Sequence, residues 1–536
     1  MNRILEFYKD IVSKKQFYFP IVFYAIVGYS FSIYNRTVGV DDLMRDFNVN
    51  NVNGMLSGRW GMVLWCKILG LIQYDPFIDR FIALLLYIMA AVLMSFLFYL
   101  INQKKDVLLY TVTASVFITY PLINEIWEYT GVNFMIGGNL CMAILAAIIL
   151  WTRFSTIRKR IVFSSLLLLL PISSYETAIF FYIALISIII LCENKNAEIP
   201  LTFVEWIKKN FYYFLPCLIA LVFRFIISLF INTLFDIQYR GGGATEIIWK
   251  NYDFLPTLKG MIVSNIIHYG LFSLIYFPIA IFVFSLFAFG IIVISYKKNR
   301  VSNVYLSIVV VSSLFLQAII QGDMFPYRHT QTITLFVGFV SYLLCISPKI
   351  KIRNYVFLFM FCLCWYQAVY LNRILGLNNL RSDNEVAIIH KIGSRIVSEF
   401  EQKPVILVAP YKVGQYINKQ VSVDESSWNG RLFRFIYEKI AGKLESPYKY
   451  IDSNVNSASK EYCQIQQLFN YYGYDIEIIP NYISGKQIKE GEKIQSEAIQ
   501  IAKEKKIGLY QIYDNGNYLI VNMGGDFYKS QKKRIN

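Results

Sequence analysis

Two adjacent carboxylates, Asp41 and Asp42, follow the first long apolar run of the chain, Phe17–Tyr34. Two acids side by side repel each other, which favours the exchange of a proton at one of them. Such a pair could take the proton of a hydroxyl group, or it could hold a divalent cation, since paired carboxylates suit hard cations. An ordinary solvated turn is the alternative that residue type leaves open.

Cationic side chains suited to phosphate stand near the ends of apolar runs. Arg59 lies in the segment 58–61, where flanking glycines allow close backbone approach and the guanidinium offers a forked hydrogen-bond donor. Arg328 and His329 form a second cationic pair at the boundary of an apolar run. Plain anchoring at the membrane interface is the alternative for both.

Arg224 falls near the middle of the apolar run Phe211–Phe235. An arginine at the centre of a membrane span costs roughly 2.5–3.5 kcal/mol on insertion scales, so such residues usually face a cavity or a partner. A lipid phosphate is one candidate partner, and Glu176 is the structural alternative.

The other candidate substrate-binding residues lie in the hydrophilic segments between apolar runs. They are Trp60, Glu125, Glu128, Tyr175, Glu176, Arg240 and Tyr327.

The elements that must position these residues are membrane-spanning helices. Hydrophobic residues make up 56% of the 536 residues and charged residues 16%, against about a quarter in soluble domains. The apolar residues form blocks, several of them close to the ~20 residues that cross a hydrocarbon core. We expect an all-α polytopic membrane bundle with eleven spans: 17–34, 81–101, 107–121, 136–151, 161–172, 178–192, 211–235, 270–296, 301–320, 331–346 and 354–373.

The break between the fifth and sixth spans is predicted at Pro171 and the polar cluster that follows it. One uninterrupted helix over 161–192 would be about 48 Å long, which is too long for a core of roughly 30 Å.

Lysine and arginine are distributed unevenly between the connections. With the N-terminus in the cytoplasm, they are about fourfold denser in the inner connections than in the outer ones. This orientation puts the loop candidates and residues 374–536 on the outer side. Because the net charge of +16 follows from this bias rather than from one basic face, we exclude nucleic-acid binding.

The composition changes after residue 373, where charged residues return and apolar runs shorten. Strands are predicted at 404–409, 475–479, 508–513 and 518–523, and the last two flank a hairpin signal at 514–517. We therefore expect two domains, a membrane module over 1–373 and an extracytoplasmic α/β domain over 374–536.

The sequence requires no cofactor, although the paired acids are compatible with a divalent cation. The three histidines have no metal-ligand spacing, and the chain has neither a P-loop nor a glycine-rich dinucleotide fingerprint. Nucleotide-driven transport and a cytoplasmic nucleotide-sugar site therefore have no support in the sequence.

Several short motifs, in this order and on one side, resemble the Gtr-type glucosyltransferases that decorate bacterial O-antigen. They are Val40-Asp41-Asp42 followed by Gly58-Arg59-Trp60, then Tyr120-Pro121 with Asn124, and Ser174-Tyr175-Glu176. The resemblance covers about residues 15–340. At position 176 the family pattern has glutamine where this chain has glutamate.

The resemblance implies a GT-C type fold in the bacterial cytoplasmic membrane, with the active site in the outer loops. Such enzymes move a hexose, here glucose-like, from a polyprenyl phosphate to a cell-surface polysaccharide or a lipid-linked glycan, with inversion at the anomeric carbon. The acidic residue of the first outer loop, Asp41 or Asp42, would be the catalytic base.

Two other functions remain open at this point. A flippase or transporter for a lipid-linked saccharide is expected to line its spans with charge, whereas Arg224 is the one central charge of the predicted spans, which favours the enzyme. An O-antigen polymerase or ligase shares the lipid-phosphate donor, and only the family motifs separate it from a glucosyltransferase.

Overall fold

The computed structural model describes most of the membrane module and part of the remainder. The described residues are 2–35, 58–71, 75–123, 127, 132–152, 155–195, 203–235, 253–269, 277–295, 300–322, 330–346, 350–400, 403–408, 469–470, 472–479 and 487–522.

Helices dominate these ranges. They are α1 (Asn2–Phe7), a π-helical turn (Tyr8–Val12), α2 (Lys15–Tyr34), α3 (Trp60–Ile68), α4 (Pro76–Asn102), α5 (Val107–Thr119), α6 (Asn133–Trp151), α7 (Ile157–Ser174), α8 (Thr177–Lys195), α9 (Phe203–Phe235), α10 (Phe254–Tyr269), α11 (Phe277–Ile294), α12 (Arg300–Leu314), α13 (Leu316–Gln321), α14 (Gln331–Ile346) and α15 (Ile350–Glu399).

Acidic caps fix where two of these helices begin. Asp75 precedes α4 and accepts hydrogen bonds from the backbone N–H groups of Phe77 and Ile78 at 3.1 and 3.0 Å. Asp106 precedes α5 and accepts one from Leu109 at 3.3 Å. Each carboxylate satisfies N–H groups that have no partner inside the helix.

The protein is a helical membrane protein, as the sequence predicts. Among the described residues, seven helices are long and apolar enough to cross a membrane: Lys15–Tyr34, Phe77–Asn102, Asn133–Trp151, Thr177–Asn194, Asn210–Phe235, Phe277–Ile294 and Ile352–Gly376. Four shorter apolar helices accompany them, at Val107–Thr119, Phe254–Val263, Ser302–Leu314 and Gln331–Ile346. The count of eleven spans stays a prediction.

The predicted break after the fifth span is present, at the last two residues of the predicted cluster and not at Pro171 itself. That proline is inside α7, which ends at Ser174, and α8 begins at Thr177. The turn therefore consists of Tyr175 and Glu176. A proline within a helix removes one backbone hydrogen bond, and here the helix continues for one more turn before it ends.

Other helix boundaries differ from the predicted ones. Helices α3 and α10 lie in segments that we interpreted as loops, and the predicted span 301–320 is divided at Phe315 into α12 and α13. α3 has only nine residues, which is too short for a periodicity signal. The last predicted span, 354–373, is part of the 50-residue helix α15.

The described residues form two compact units that divide within α15, between Gly376 and Leu377. In the first unit, the packing of α4 on α6 uses a glycine. A Cβ at Gly137 would lie 2.9 Å from Leu86 Cβ, so only glycine allows the two helices this separation.

The second unit contains a four-stranded sheet formed by β1 (Val405–Val408), β2 (Ile478–Ile479), β3 (Ile512–Asp514) and β4 (Leu519–Asn522). The strand order is β2-β1-β4-β3; β1 is parallel to both neighbours, and β3 is antiparallel to β4. The end of α15 packs on one face of the sheet through Ile389, Ile392 and Ile396. α16 (Gln487–Glu504) packs on the other face through Ala498 and Ala502.

The third strand is shorter than the sequence predicts. We expected it at 508–513, but it begins at Ile512. Tyr510 has a φ of 58°, a left-handed conformation that cannot continue a strand. The hairpin turn at 514–517 is present and is completed by Gly516 at φ 87°.

Candidate functional site

The structure describes five of the predicted site residues, namely Arg59, Trp60, Tyr175, Glu176 and Arg224. The other eight lie outside the described residues: Asp41, Asp42, Glu125, Glu128, Arg240, Tyr327, Arg328 and His329.

Glu176 brings two of the predicted cations together. Its Oε2 accepts hydrogen bonds from Arg59, at 3.2 Å from Nε and 3.1 Å from Nη2. Its Oε1 accepts one from Arg224 Nη2 at 2.7 Å. In the structure, the partner of Arg224 is therefore Glu176. The three side chains form one cluster with a net charge of +1.

This cluster is partly accessible. The side chains of Arg59, Glu176 and Arg224 are 32%, 27% and 16% exposed. Part of each guanidinium is thus left uncovered by the protein, while the carboxylate orients both. Tyr175 adds a cation–π contact, since the guanidinium carbon of Arg59 lies 4.9 Å from the centre of its ring.

The electrostatics of the turn keep Glu176 ionised. Burial raises the pKa of its carboxyl, but Arg59 and then Arg224 lower it by more, so the pKa lies below its ordinary value. Glu176 is therefore a positioning acid at neutral pH rather than a proton donor.

A close helix contact places Arg59 beside this turn. A Cβ at Gly61, in the first turn of α3, would lie 2.7 Å from Ser174 Oγ and 2.8 Å from the carbonyl oxygen of Leu170. Only glycine permits this approach to the end of α7. Gly58, with a φ of 71°, makes the turn into α3 just before Arg59.

Trp60 is adjacent to the cluster in sequence and half-buried. Its indole Nε1 is buried and has no hydrogen-bond partner among the described residues. Its proposed role in binding substrate stays a prediction.

A second contact of α3 is formed by Trp65. The indole Nε1 of Trp65 donates to Asn139 Oδ1 at 3.0 Å. The ring fills the space left by Gly138, where a Cβ would lie 2.6 Å from the ring. α3 is thus fixed on both α6 and α7.

Arg80 is a residue that the sequence reasoning missed. It is 1% exposed, and its Nη1 donates to the carbonyl oxygens of Ser32 and Asn35 at 2.5 and 2.6 Å. These carbonyl groups belong to the C-terminal end of α2. The segment that contains Asp41 and Asp42 follows this helix in sequence. In the sequence, Arg80 lies one position before the predicted span 81–101. We counted it only among the charges that set the orientation of the protein in the membrane.

Trp127 stabilises the same helix end. Its Nε1 donates to Ser32 Oγ at 2.7 Å, and its ring lies 4.3 Å from that of Tyr29. Asn133, at the start of α6, donates to the Trp127 carbonyl oxygen at 3.3 Å.

Further contacts place other helix termini at this end of the first unit. Tyr29 donates to the Ile118 carbonyl oxygen at 2.8 Å, and Tyr120 donates to that of Pro278 at 2.7 Å. The C-terminal ends of α2 and α5 therefore lie with the start of α11. The opposite end of α5 is held by a different contact, since Asp106, just before this helix, pairs with Arg353 at 2.9 Å.

The described residues contain no group of three or more His, Cys, Asp or Glu side chains close enough to hold a metal ion. Asp41 and Asp42, which the sequence identified as possible cation ligands, are not among them.

Comparison with known proteins gives one match. Neither a curated protein nor a solved structure matched the chain. A family model described as glucosyl transferase GtrII matches residues 30–345, well over half of the sequence. This range includes Arg59, Glu176 and Arg224, and it agrees with the resemblance drawn from the motifs. The chain belongs to the GtrII glucosyltransferase family.

Proposed function

We propose that this glucosyltransferase takes a glucose-like hexose from a polyprenyl-phosphate carrier and transfers it to a cell-surface polysaccharide or a lipid-linked glycan. The reaction takes place at the outer face of the bacterial cytoplasmic membrane, with the N-terminus in the cytoplasm and residues 374–536 outside. The observation that carries the proposal is the pairing of Arg59 and Arg224 on one carboxylate of the bundle.

The charge of that cluster suits a phosphate leaving group. Transfer breaks the bond between the anomeric carbon and the phosphate oxygen and forms a bond to the acceptor oxygen. The acceptor proton passes to a carboxylate, for which we propose Asp41 or Asp42. A phosphodiester donor has a single negative charge and the released phosphomonoester approaches two. Because charge grows on the phosphate, two guanidiniums stabilise the transition state more than the bound donor.

The other predicted residues are assigned to binding. The cations Arg240, Arg328 and His329 suit the phosphate, and the aromatic rings of Trp60, Tyr175 and Tyr327 suit the faces of a sugar. Glu125 and Glu128 suit sugar hydroxyls. A single displacement with the base and the phosphate on opposite faces of the sugar inverts the anomeric carbon.

An apolar groove supports a lipid donor. It has a volume of about 570 Å³ and lies between α10, α11 and the junction of α12 with α13. Its walls include Ile262, Ile266, Phe282 and Phe315, and Asn265 is the polar residue among them. Phe282 is one turn from the start of α11, which the Tyr120 contact places at the end of α5. A polyisoprenoid chain fits these walls.

The decisive test is transfer by the purified protein in detergent, where no sealed compartment exists. The wild-type protein is incubated with an acceptor glycan and a panel of polyprenyl-phosphate hexoses. We expect transfer to the glycan with release of polyprenyl phosphate. A panel with no transfer, together with movement of labelled lipid across sealed vesicles, would establish a flippase instead.

The base is tested in the same assay with Asp41→Asn and Asp42→Asn. We expect one of them to lower transfer by roughly 100-fold or more. The exposed Asp253 provides a matched control, since Asp253→Asn removes a charge outside the proposed site. Full activity of both variants would remove the base assignment while leaving the lipid donor in place.

Orientation is tested by labelling. A cysteine at Asn515, in the hairpin turn between β3 and β4, is introduced into a chain with Cys463→Ser. We expect an impermeant maleimide to label it in intact cells. Labelling only after lysis would overturn the orientation.

A further inference from the structure

A large cavity opens in the first unit, away from the arginine cluster. Its volume is about 1540 Å³, above the 300–1,000 Å³ usual for small-molecule sites. It is lined by α1 and the π-helical turn, by α4 and α6, by the start of α7, the end of α8 and part of α9. Arg160, near the start of α7, lines it, whereas Glu176 follows the end of that helix. Fourteen residues separate Arg160 from Ser174, which is about 21 Å of helix.

The deep walls of the cavity are apolar. On α4 they extend from Val92 to Ile101, a distance of about 14 Å at 1.5 Å per residue. Phe96 on the same helix and Leu145 and Ile148 on α6 face it. This depth is about half of a hydrocarbon core, so the walls are suited to hydrocarbon chains and not to a sugar.

The mouth of the cavity is aromatic and charged. Trp151, Tyr212 and Tyr213 line it, as is usual at the level of lipid head groups. Its charged lining residues are Arg3, Arg160 and Glu193, which sum to a single positive charge. Glu193 also accepts a hydrogen bond from the Tyr213 hydroxyl at 3.5 Å.

Arg160 lines the cavity and is held in position by a contact with the backbone. Its Nη1 donates to the Leu150 carbonyl oxygen at 2.8 Å, which fixes the side chain at the mouth. Arg158 and Lys159, in the same helical turn, are exposed and add to the positive potential.

We propose that this cavity binds one anionic glycerophospholipid, with its acyl chains along α4 and α6 and its phosphate at Arg160. The net positive lining matches one phosphodiester, and the apolar depth matches the chains. The occupant is not the glycosyl donor, because a phosphate at Arg160 would be about 20 Å from Arg59 and Arg224, where nothing could transfer its sugar.

The test uses the purified full-length protein in mild detergent. Native mass spectrometry measures retained lipid after titration with dioleoyl phosphatidylglycerol or with dioleoyl phosphatidylcholine, which has the same chains. We expect one phosphatidylglycerol per protein and weaker retention of phosphatidylcholine. Arg160→Gln is expected to lower the affinity for phosphatidylglycerol by about tenfold, and Leu93→Trp, which narrows the apolar part, to weaken retention of both.

Arg158→Gln is the matched control, since it removes a neighbouring charge that does not line the cavity. It is expected to leave binding unchanged. Equal losses in the Arg158 and Arg160 variants would show general attraction to head groups and overturn the proposal. Equal retention of the two phospholipids, or preference for polyprenyl phosphate in direct competition, would also overturn it. The two disrupting variants lie on different helices, and monodisperse elution confirms the fold of each.

Discussion

Glu176 holds Arg59 on one carboxylate oxygen and Arg224 on the other, although these arginines are 117 and 48 positions away in the chain. The acid stands in the two-residue turn between α7 and α8. One side chain therefore joins α3, α9 and the α7–α8 turn. Both arginines are held close together, and their orientation depends on a single carboxylate.

Removal of that carboxylate should destabilise the protein. Glu176→Ala leaves two guanidiniums facing each other without an acid, and we expect a loss of roughly 1–3 kcal/mol in the free energy of unfolding. Glu176→Gln keeps a carbonyl acceptor and should cost less. Thermal unfolding in detergent measures both. Glu399→Gln, at an exposed pair with Arg395, is the control and should change little; an unchanged melting temperature for Glu176→Ala would contradict the role of the cluster.

The same pair predicts a dependence of stability on pH. The pKa of Glu176 is lower in the folded protein than in the unfolded chain, because the two arginines more than offset the effect of burial. The stabilisation is therefore complete above the ordinary glutamate pKa of about 4.3 and is lost as pH falls through the lower folded value. The difference in melting temperature between wild type and Glu176→Gln should shrink below about pH 4. A constant difference from pH 7 to pH 3 would contradict this linkage.

Gly61 should tolerate no side chain. In Gly61→Ala the new Cβ meets Ser174 and the backbone of Leu170, so α3 must move away from α7 at a cost of roughly 1–3 kcal/mol. We expect a lower melting temperature and weaker glucosyl transfer, because Arg59 moves with α3. Gly260→Ala is the matched control, since no atom lies within 4 Å of its Cβ and alanine favours a helix. Similar melting temperatures for the two variants would refute the contact.

Arg80 should be required for the fold of the α2 end. Arg80→Gln removes a buried cation from the carbonyl oxygens of Ser32 and Asn35, and we expect a loss of roughly 2–4 kcal/mol. Arg395→Gln, an exposed arginine on α15, is the control. The melting temperature and the rate of hydrogen exchange in α2 report the effect. Unchanged exchange at residues 32–35 would show that Arg80 does not hold this end.

The sequence was informative where local composition determines structure. Long apolar runs predicted the helices, and the short apolar runs with the Asp-Asn-Gly-Asn turn predicted the strands of the C-terminal unit. The central position of Arg224 was enough to require a partner, but it left a lipid phosphate and Glu176 as alternatives, and the structure shows Glu176. Each of these signals is local, or it follows from the cost of placing a charge in lipid.

Other features depend on contacts that no local pattern encodes. In the sequence, Arg80 looks like any charged residue beside a membrane span. Its contact with the end of α2 is visible only in the folded protein. Helix α3 is short and depends on Gly61 and Trp65 for its position, so its sequence alone does not distinguish it from a loop. The predicted strand at 508–513 was wrong at its start because the backbone of Tyr510 turns left-handed, a conformation that side-chain periodicity does not reveal.

The fit of the Trp65 ring over Gly138 has a consequence for the sequences of related proteins. The bare glycine backbone provides the room that the indole occupies, so the sizes of the two residues are coupled. A relative with a larger residue at position 138 should carry a smaller one at position 65. The two positions are therefore expected to vary together across the family, with Asn139 retained only where a tryptophan donates to it.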